Sequence, residues 1–203
     1  MELRKVDKIK PLYIPIESVS WIYKYKLPLD WCDSFISFAS NHIEEKTLKN
    51  VKSYKSTGWK LHEKEGFKSF LDPLNLLFLD FLKHVFSQKT TVPIIPKFDI
   101  EVVHNNFILR DLWVSWFNEN GYTWPHEHTS DYYGVIGSYS FSAYLGNVET
   151  SISFQSPLTG LFESVLVNKG DVLFFPSNMV HMSFDVAPNR IICSGNMNFF
   201  MKP

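Results

Sequence analysis

The sequence predicts a mainly β protein of the α+β kind: an antiparallel β-sandwich or jelly roll whose N-terminal helices pack on one outer sheet. Three observations carry this expectation. Beyond residue 97, short apolar runs recur between Gly, Pro and Asn turn signals: FDIEVVH, FILRDLWVSWF, GSYSFSAYLG, TSISFQS, LFESVLV, DVLFFPS, HMSFDV and RIICSGNMNFF. Before residue 97, two stretches show apolar residues at helical rather than alternating spacing. Between the two textures stands TTVPIIP, where Pro93 and Pro96 break any helix that reaches them.

Taken in order, residues 12 to 25 (LYIPIESVSWIYKY) are rich in β-formers, and Pro15 confines that segment to a sheet edge or a broken strand. A first helix is expected from Leu29 to about Lys49. Asp30 is its N-cap candidate, and Trp31, Phe35, Phe38 and Ile43 form its apolar side. Residues 50 to 65 (NVKSYKSTGWKLHEKE) are polar and read as a loop with little structure of its own. A second helix is expected from Phe67 to Phe86, with Phe70, Leu71, Leu74, Leu77, Phe78, Phe81, Leu82 and Val85 on a broad apolar face and Pro73 near its first turn. The expected organisation is one domain over residues 1–203: a strand and supporting helices in 1–96, and the β core in 97–203.

Composition narrows the function classes. A net charge of −1 gives no global basic field, so a nucleic-acid partner is not indicated. The aromatic content of 16% fits a packed β interior or an aromatic-lined cleft. Cys32 and Cys193 lie far apart and outline no disulfide framework, no apolar run is long enough for a membrane span, and the charged N-terminus lacks a secretory core. These features point to a soluble cytoplasmic protein, and they are compatible with a homo-oligomer.

The chemistry-bearing stretch is WVSWFNENGYTWPHEH, residues 113 to 128, which sets His126 and His128 two apart after a strand-like run. On an extended chain such residues share a face, so both imidazoles can approach one metal ion, while Glu127 between them points the other way. A third imidazole, His181, closes GDVLFFPSNMVH: Gly170 and Asp171 mark a turn, Val172 to Phe175 a buried strand, and Pro176 to Asn178 a second turn. Nine residues further stands Arg190. By alternation it shares a face with Ile192, Ser194 and Asn196, a polar set that is costly to turn inward without a ligand or water to satisfy it.

From Trp113 to Asn196 the chain resembles the 2-oxoglutarate- and iron(II)-dependent oxygenases. The resemblance rests on Trp116, Asn118, Gly121, His126, His128, the strand GSYSFSAYL, Gly170-Asp171, Phe175-Pro176-Ser177, His181, Arg190, Ser194 and Asn196. It implies a double-stranded β-helix, the jelly-roll and cupin-like fold, with Fe(II) held at its open end and 2-oxoglutarate as co-substrate. By this resemblance His126 and His181 are metal ligands and Arg190 pairs with the distal carboxylate of 2-oxoglutarate. Asn118, Ser194 and Asn196 are further candidates for co-substrate contact, a turn or surface role being the alternative for Asn118. The implied reaction is decarboxylation of 2-oxoglutarate to succinate coupled to hydroxylation of a second, unidentified substrate.

Two departures from the family pattern stand out. Position 128 carries His where a carboxylate is usual, so either His128 completes a neutral three-His set, or Asp131 takes that place, or His128 faces the substrate. Ile192 stands where many relatives have a Ser two residues after the Arg. A different class also fits the GDVLFFPSNMVH segment: a cupin-like metal-binding protein, isomerase or sensor, that uses no keto acid. A metal-free sandwich with incidental histidines is the third reading. Trp124, Tyr132, Tyr133 and the 50 to 65 segment are the rim candidates for substrate contact.

Overall fold

The computed structural model describes residues 12–15, 21–44, 51–52, 55–87, 107–118, 121–128, 135–184 and 187–200. The front half holds β1 (Leu12–Pro15), β2 (Trp21–Lys26), α1 (Leu29–Ser40), β3 (Ile43–Glu44), β4 (Val51–Lys52), β5 (Lys55–Thr57) and α2 (Lys68–Ser87). The back half runs β6 (Phe107–Trp116), β7 (Tyr122–His126), β8 (Val135–Tyr144), β9 (Thr150–Gln155), β10 (Phe162–Val167), β11 (Asp171–Pro176), β12 (His181–Ser183) and β13 (Ile191–Phe200). These strands build an eight-stranded sheet in the order β1-β2-β11-β8-β13-β6-β5-β3 and a five-stranded sheet in the order β10-β9-β12-β7-β4.

Period-two alternation divides the core into two layers. On the large sheet Tyr23, Tyr25, Leu112, Val114, Phe141, Ala143, Val172, Phe174 and Cys193 point outward. There they meet Trp31, Cys32, Phe35 and Ala39 of α1 and Leu74, Phe78, Phe81 and Leu82 of α2. Their sequence neighbours Ile22, Tyr144, Leu173, Phe175 and Ile192 point inward and pack against Ile152, Phe154, Val165 and Val167 of the small sheet. The helices thus seal one face of the large sheet, and its other face is left to build a site with the small one. Pro15 ends β1, an edge strand of the large sheet, as its proline implied.

Several local expectations are corrected. α1 stops at Ser40, well short of Lys49, because Asn41 caps it and Ile43 enters a strand. Its N-cap is Pro28. Asp30 lies inside the first turn, where its carboxylate accepts the Trp31 N–H at 3.0 Å and faces the positive end of the helix dipole. Pro73 lies within α2, five residues in from Lys68, and not in its first turn.

The 50 to 65 segment is not a loop. It supplies β4 to the small sheet, β5 to the large sheet and a 3-10 turn at Leu61–Glu63. Its polar residues are held by the sheet: Ser56 and Thr57 are buried, Val114 N–H donates to Thr57 Oγ1 at 2.9 Å, and Leu112 N–H donates to the Trp59 carbonyl at 2.8 Å. The segments expected as FDIEVVH and as Asp131, Tyr132 and Tyr133 lie outside the described residues.

Candidate metal centre

The strand that carries His126 is shaped by Pro125. Across β7 and β12, His126 faces His181 and Thr123 faces Ser183, so two residues of β7, Trp124 and Pro125, stand against the single Met182. This is a β-bulge, a place where a strand tolerates proline. Strict alternation from Thr123 would turn His126 outward. The extra residue restores it to the inner face, so Thr123 and His126 both line one cavity. His128, two residues on, is fixed by its own N–H donating to the Ser177 carbonyl at 2.7 Å.

His126, His128 and His181 converge, with ligand atoms all within 4.8 Å of one another. Ring centroids are 4.3 Å apart for His126 and His181, 4.9 Å for His126 and His128, and 5.1 Å for His128 and His181. Backbone carbonyls select the tautomers. Trp124 O lies 2.7 Å from His126 Nδ1 and Met179 O lies 3.0 Å from His181 Nδ1, so each Nδ1 carries the donated hydrogen and each Nε2 keeps its lone pair. Burial is the main force that lowers all three pKa values, His128 to about 3 and His181 well below its ordinary value. Neutral imidazoles with a free lone pair are the form a metal requires.

His128 is braced from two sides. Trp113 stacks on its ring at 5.7 Å and 14°, and the exposed Trp59 stacks on Trp113 at 5.9 Å. Asn196 and Asp111 act on it from the floor of the large sheet, both favouring the protonated ring against burial. Asn196 Nδ2 donates to Asp111 at 3.3 Å and its Oδ1 accepts from Ser140 Oγ at 2.8 Å. Sequence reasoning placed Asn196 against the co-substrate. The structure sets it in this buried network beside His128.

The floor of the cavity can be read from the strand register. Ser142, Ser194 and Trp113 lie side by side on β8, β13 and β6, and the next step along the strands holds Tyr144, Ile192 and Ser115. Arg190 follows, its carbonyl accepting the Phe117 N–H at 2.9 Å. The open cavity is lined by the three imidazoles, Ser115, Ser142, Ser194, Thr123, Ser183, Ile152, Ile192 and Arg190.

Arg190 is 1% exposed. Phe117 and Tyr144 cover it, their ring centroids 5.3 and 5.6 Å from its Cζ, and Nη2 donates to Ser183 Oγ at 2.8 Å. Among the described residues Nε and Nη1 have no partner. Burial disfavours its charge, and the nearby Tyr144 hydroxyl opposes that effect, although it makes no hydrogen bond of good geometry. Among the described residues no carboxylate forms an ion pair with it.

Asn118 is not brought to this cavity. It is exposed just beyond β6, and its carbonyl accepts the Gly121 N–H at 3.0 Å in a turn. Ser194 is in the lining, as its shared face with Arg190 predicted. Ser115 and Tyr144 were missed. Period-two alternation from Trp113 would have found Ser115, but nothing short of the strand pairing brings Tyr144 against Arg190.

Two antiparallel sheets facing each other, with the His cluster and Arg190 between them, form a double-stranded β-helix, the fold the sequence resemblance implied. Solved structures bear this out. A prolyl-4-hydroxylase from Pseudomonas putida superposes with a TM-score of 0.56 at 11% identity, over 90% of this chain and 93% of that one. The viral collagen prolyl hydroxylase of Paramecium bursaria Chlorella virus-1, a 2-oxoglutarate complex, gives 0.56 at 16% identity over 88% and 96%. HygX from Streptomyces hygroscopicus, with nickel and 2-oxoglutarate bound, gives 0.59 at 10% identity over 87% and 82%. At such identities the likeness is one of fold. No protein-family model and no curated protein matches the sequence.

Proposed function

We propose that this protein is a 2-oxoglutarate- and Fe(II)-dependent oxygenase that hydroxylates a second substrate while 2-oxoglutarate is decarboxylated to succinate. The observation that carries the reading is Arg190: a buried guanidinium with two donor atoms unpartnered, in the same cavity as three converging imidazoles. An uncompensated buried charge is strongly unfavourable, so a cavity that keeps one is suited to an anionic ligand. A carboxylate two or three carbon atoms away from a metal-chelating end would use both features at once.

In this reading His126, His128 and His181 hold the iron, a neutral set in which no described carboxylate takes part. Iron bound there, with 2-oxoglutarate and O2, supplies the oxidising chemistry. The chain's own contribution is positional. Arg190 anchors the distal carboxylate, Ser194 and Ser142 border the path towards the imidazoles, and Ile152, Ile192 and Phe117 keep water from the co-substrate. Asn196 and Trp113 hold the His128 ring in place. The viral hydroxylase and HygX structures, which contain 2-oxoglutarate, support the reading by analogy of fold. A cupin-like metal protein without a keto acid would leave Arg190 unexplained. The free, buried thiols Cys32 and Cys193 fit a reducing compartment such as the cytoplasm.

Anaerobic titration with Fe(II) and then 2-oxoglutarate tests this, by the visible charge-transfer band of the chelate. The band is expected in the native protein and absent in Arg190→Met, which keeps the volume but not the charge and still binds metal. No band in the native protein, or the same band in Arg190→Met, would overturn the assignment. Because Arg190 is buried without a counter-ion among the described residues, Arg190→Met should also melt no lower than the native apoprotein.

A further inference from the structure

Position 192 is where the carboxylate end of the cavity is incomplete. Ile192 lies next to Arg190 on the same inner face, and it brings a hydrocarbon where an anion needs hydrogen-bond donors. Strand register shows what stands beside it. Ile192 pairs with Ser115 on β6 and with Tyr144 on β8, so a hydroxyl-bearing residue flanks it on each side.

The two hydroxyls differ in access. Tyr144 is 2% exposed, does not line the cavity and lies against the guanidinium, so it positions Arg190. Ser115 does line the cavity. It is 3% exposed, and among the described residues its Oγ has no hydrogen-bond partner. A buried hydroxyl without a partner is uncommon in folded proteins and points to a missing acceptor.

The donors left over at this end are therefore Ser115 Oγ–H and the Nε and Nη1 hydrogens of Arg190, all buried in one cavity. Ser183 is already committed to Nη2, and with Phe117 and Tyr144 it holds the guanidinium on three sides. What approaches must do so from the cavity and must be an acceptor.

Resting on the co-substrate reading above, we infer that Ser115 is a further binding residue for the distal carboxylate of 2-oxoglutarate, its hydroxyl taking from the neighbouring strand the place that Ile192 leaves without one. Arg190 supplies charge, and Ser115 supplies a directed donor. Together they make the cavity select a dicarboxylic 2-oxoacid over a monocarboxylic one.

The test is 2-oxoglutarate affinity, measured anaerobically on the metal-loaded protein, beside a separate Co(II) titration of each variant by visible absorption. Ser115→Ala is expected to weaken 2-oxoglutarate roughly tenfold, the loss of one hydrogen bond to a charged group. Co(II) affinity and the affinity for pyruvate, which lacks the distal carboxylate, should be unchanged. Adding Ile192→Ser to Ser115→Ala should recover most of the loss by returning a hydroxyl to the same carboxylate from β13. Affinity within twofold of native in Ser115→Ala overturns the inference, as does an equal loss for pyruvate or a double variant no tighter than Ser115→Ala. A native protein that binds Co(II) but no 2-oxoglutarate overturns the co-substrate reading itself, a different result from any of these.

Discussion

At the scale of single residues, the site is defined by groups held in a charge state that burial alone does not favour or that burial enforces. Arg190 is the first kind. His128 and His181 are the second, kept neutral by desolvation. Their sign follows from linkage: an unfolded chain takes up protons on these imidazoles near pH 6.5, whereas the folded chain does so only at lower pH. The metal-free protein should therefore be unaffected by these groups above about pH 6.5. It should then lose up to roughly 1.4 kcal/mol per pH unit for each group as the pH falls, for His128 down to about pH 3. Urea midpoints at pH 7.5, 6.5 and 5.5 measure this, and His128→Phe should show a shallower decline than the native protein. An identical slope in both would mean that the His128 ring is solvated.

At the scale of elements, the decisive feature is the bulge in β7. His126 reaches the cavity because Trp124 and Pro125 together oppose Met182. Inserting one alanine after Met182 would give the extra residue of β7 a partner on β12, return the pair to plain alternation, and put Thr123 and His126 on opposite faces of the small sheet. Such a variant is expected to keep its β-sheet circular dichroism but to lose at least tenfold in Co(II) affinity, whereas Pro125→Ala, which keeps the extra residue, should bind nearly as the native protein does. The sequence showed which imidazoles to watch, since an H-x-H pair and a distant His after a turn are visible in residue types alone. It concealed how His126 is aimed, because a bulge is a property of two strands and Pro125 reads only as a break. The same reason hid β4 and β5. Two or three residues carry no alternation of their own, and their strand character comes from the neighbours they bond to. Asn196 is the converse case: its face was legible, but its partners Asp111 and Ser140 lie on other strands, and they decide that it serves His128.

At the scale of the whole molecule, the large sheet separates two jobs. Its outer face is bound to the helices by a cluster in which Phe81 touches Tyr23, Phe78, Tyr139 and Phe174, and its inner face carries the cavity. Short strands recurring after two helical stretches foretold the layered arrangement before any strand order was known, but not which side chains of each strand would face the helices. The strand order itself, with β2 beside β11 and β13 between β8 and β6, depends on pairings far apart in the chain. Stability and site chemistry should accordingly respond to different substitutions. Phe81→Leu removes buried ring volume from the helix side, and its cost should be a part of the ~3–5 kcal/mol typical of Phe→Ala. It should lower the urea midpoint clearly while leaving Co(II) affinity within about twofold of native, because none of its aromatic neighbours Tyr23, Phe78, Tyr139 and Phe174 lines the cavity. Ser115→Ala should do the reverse, with a near-native midpoint and weakened 2-oxoglutarate binding. If Phe81→Leu instead weakens metal binding as much as it weakens the fold, the sheet does not insulate its two faces, and the convergence of the three imidazoles depends on how tightly the helices are packed behind it.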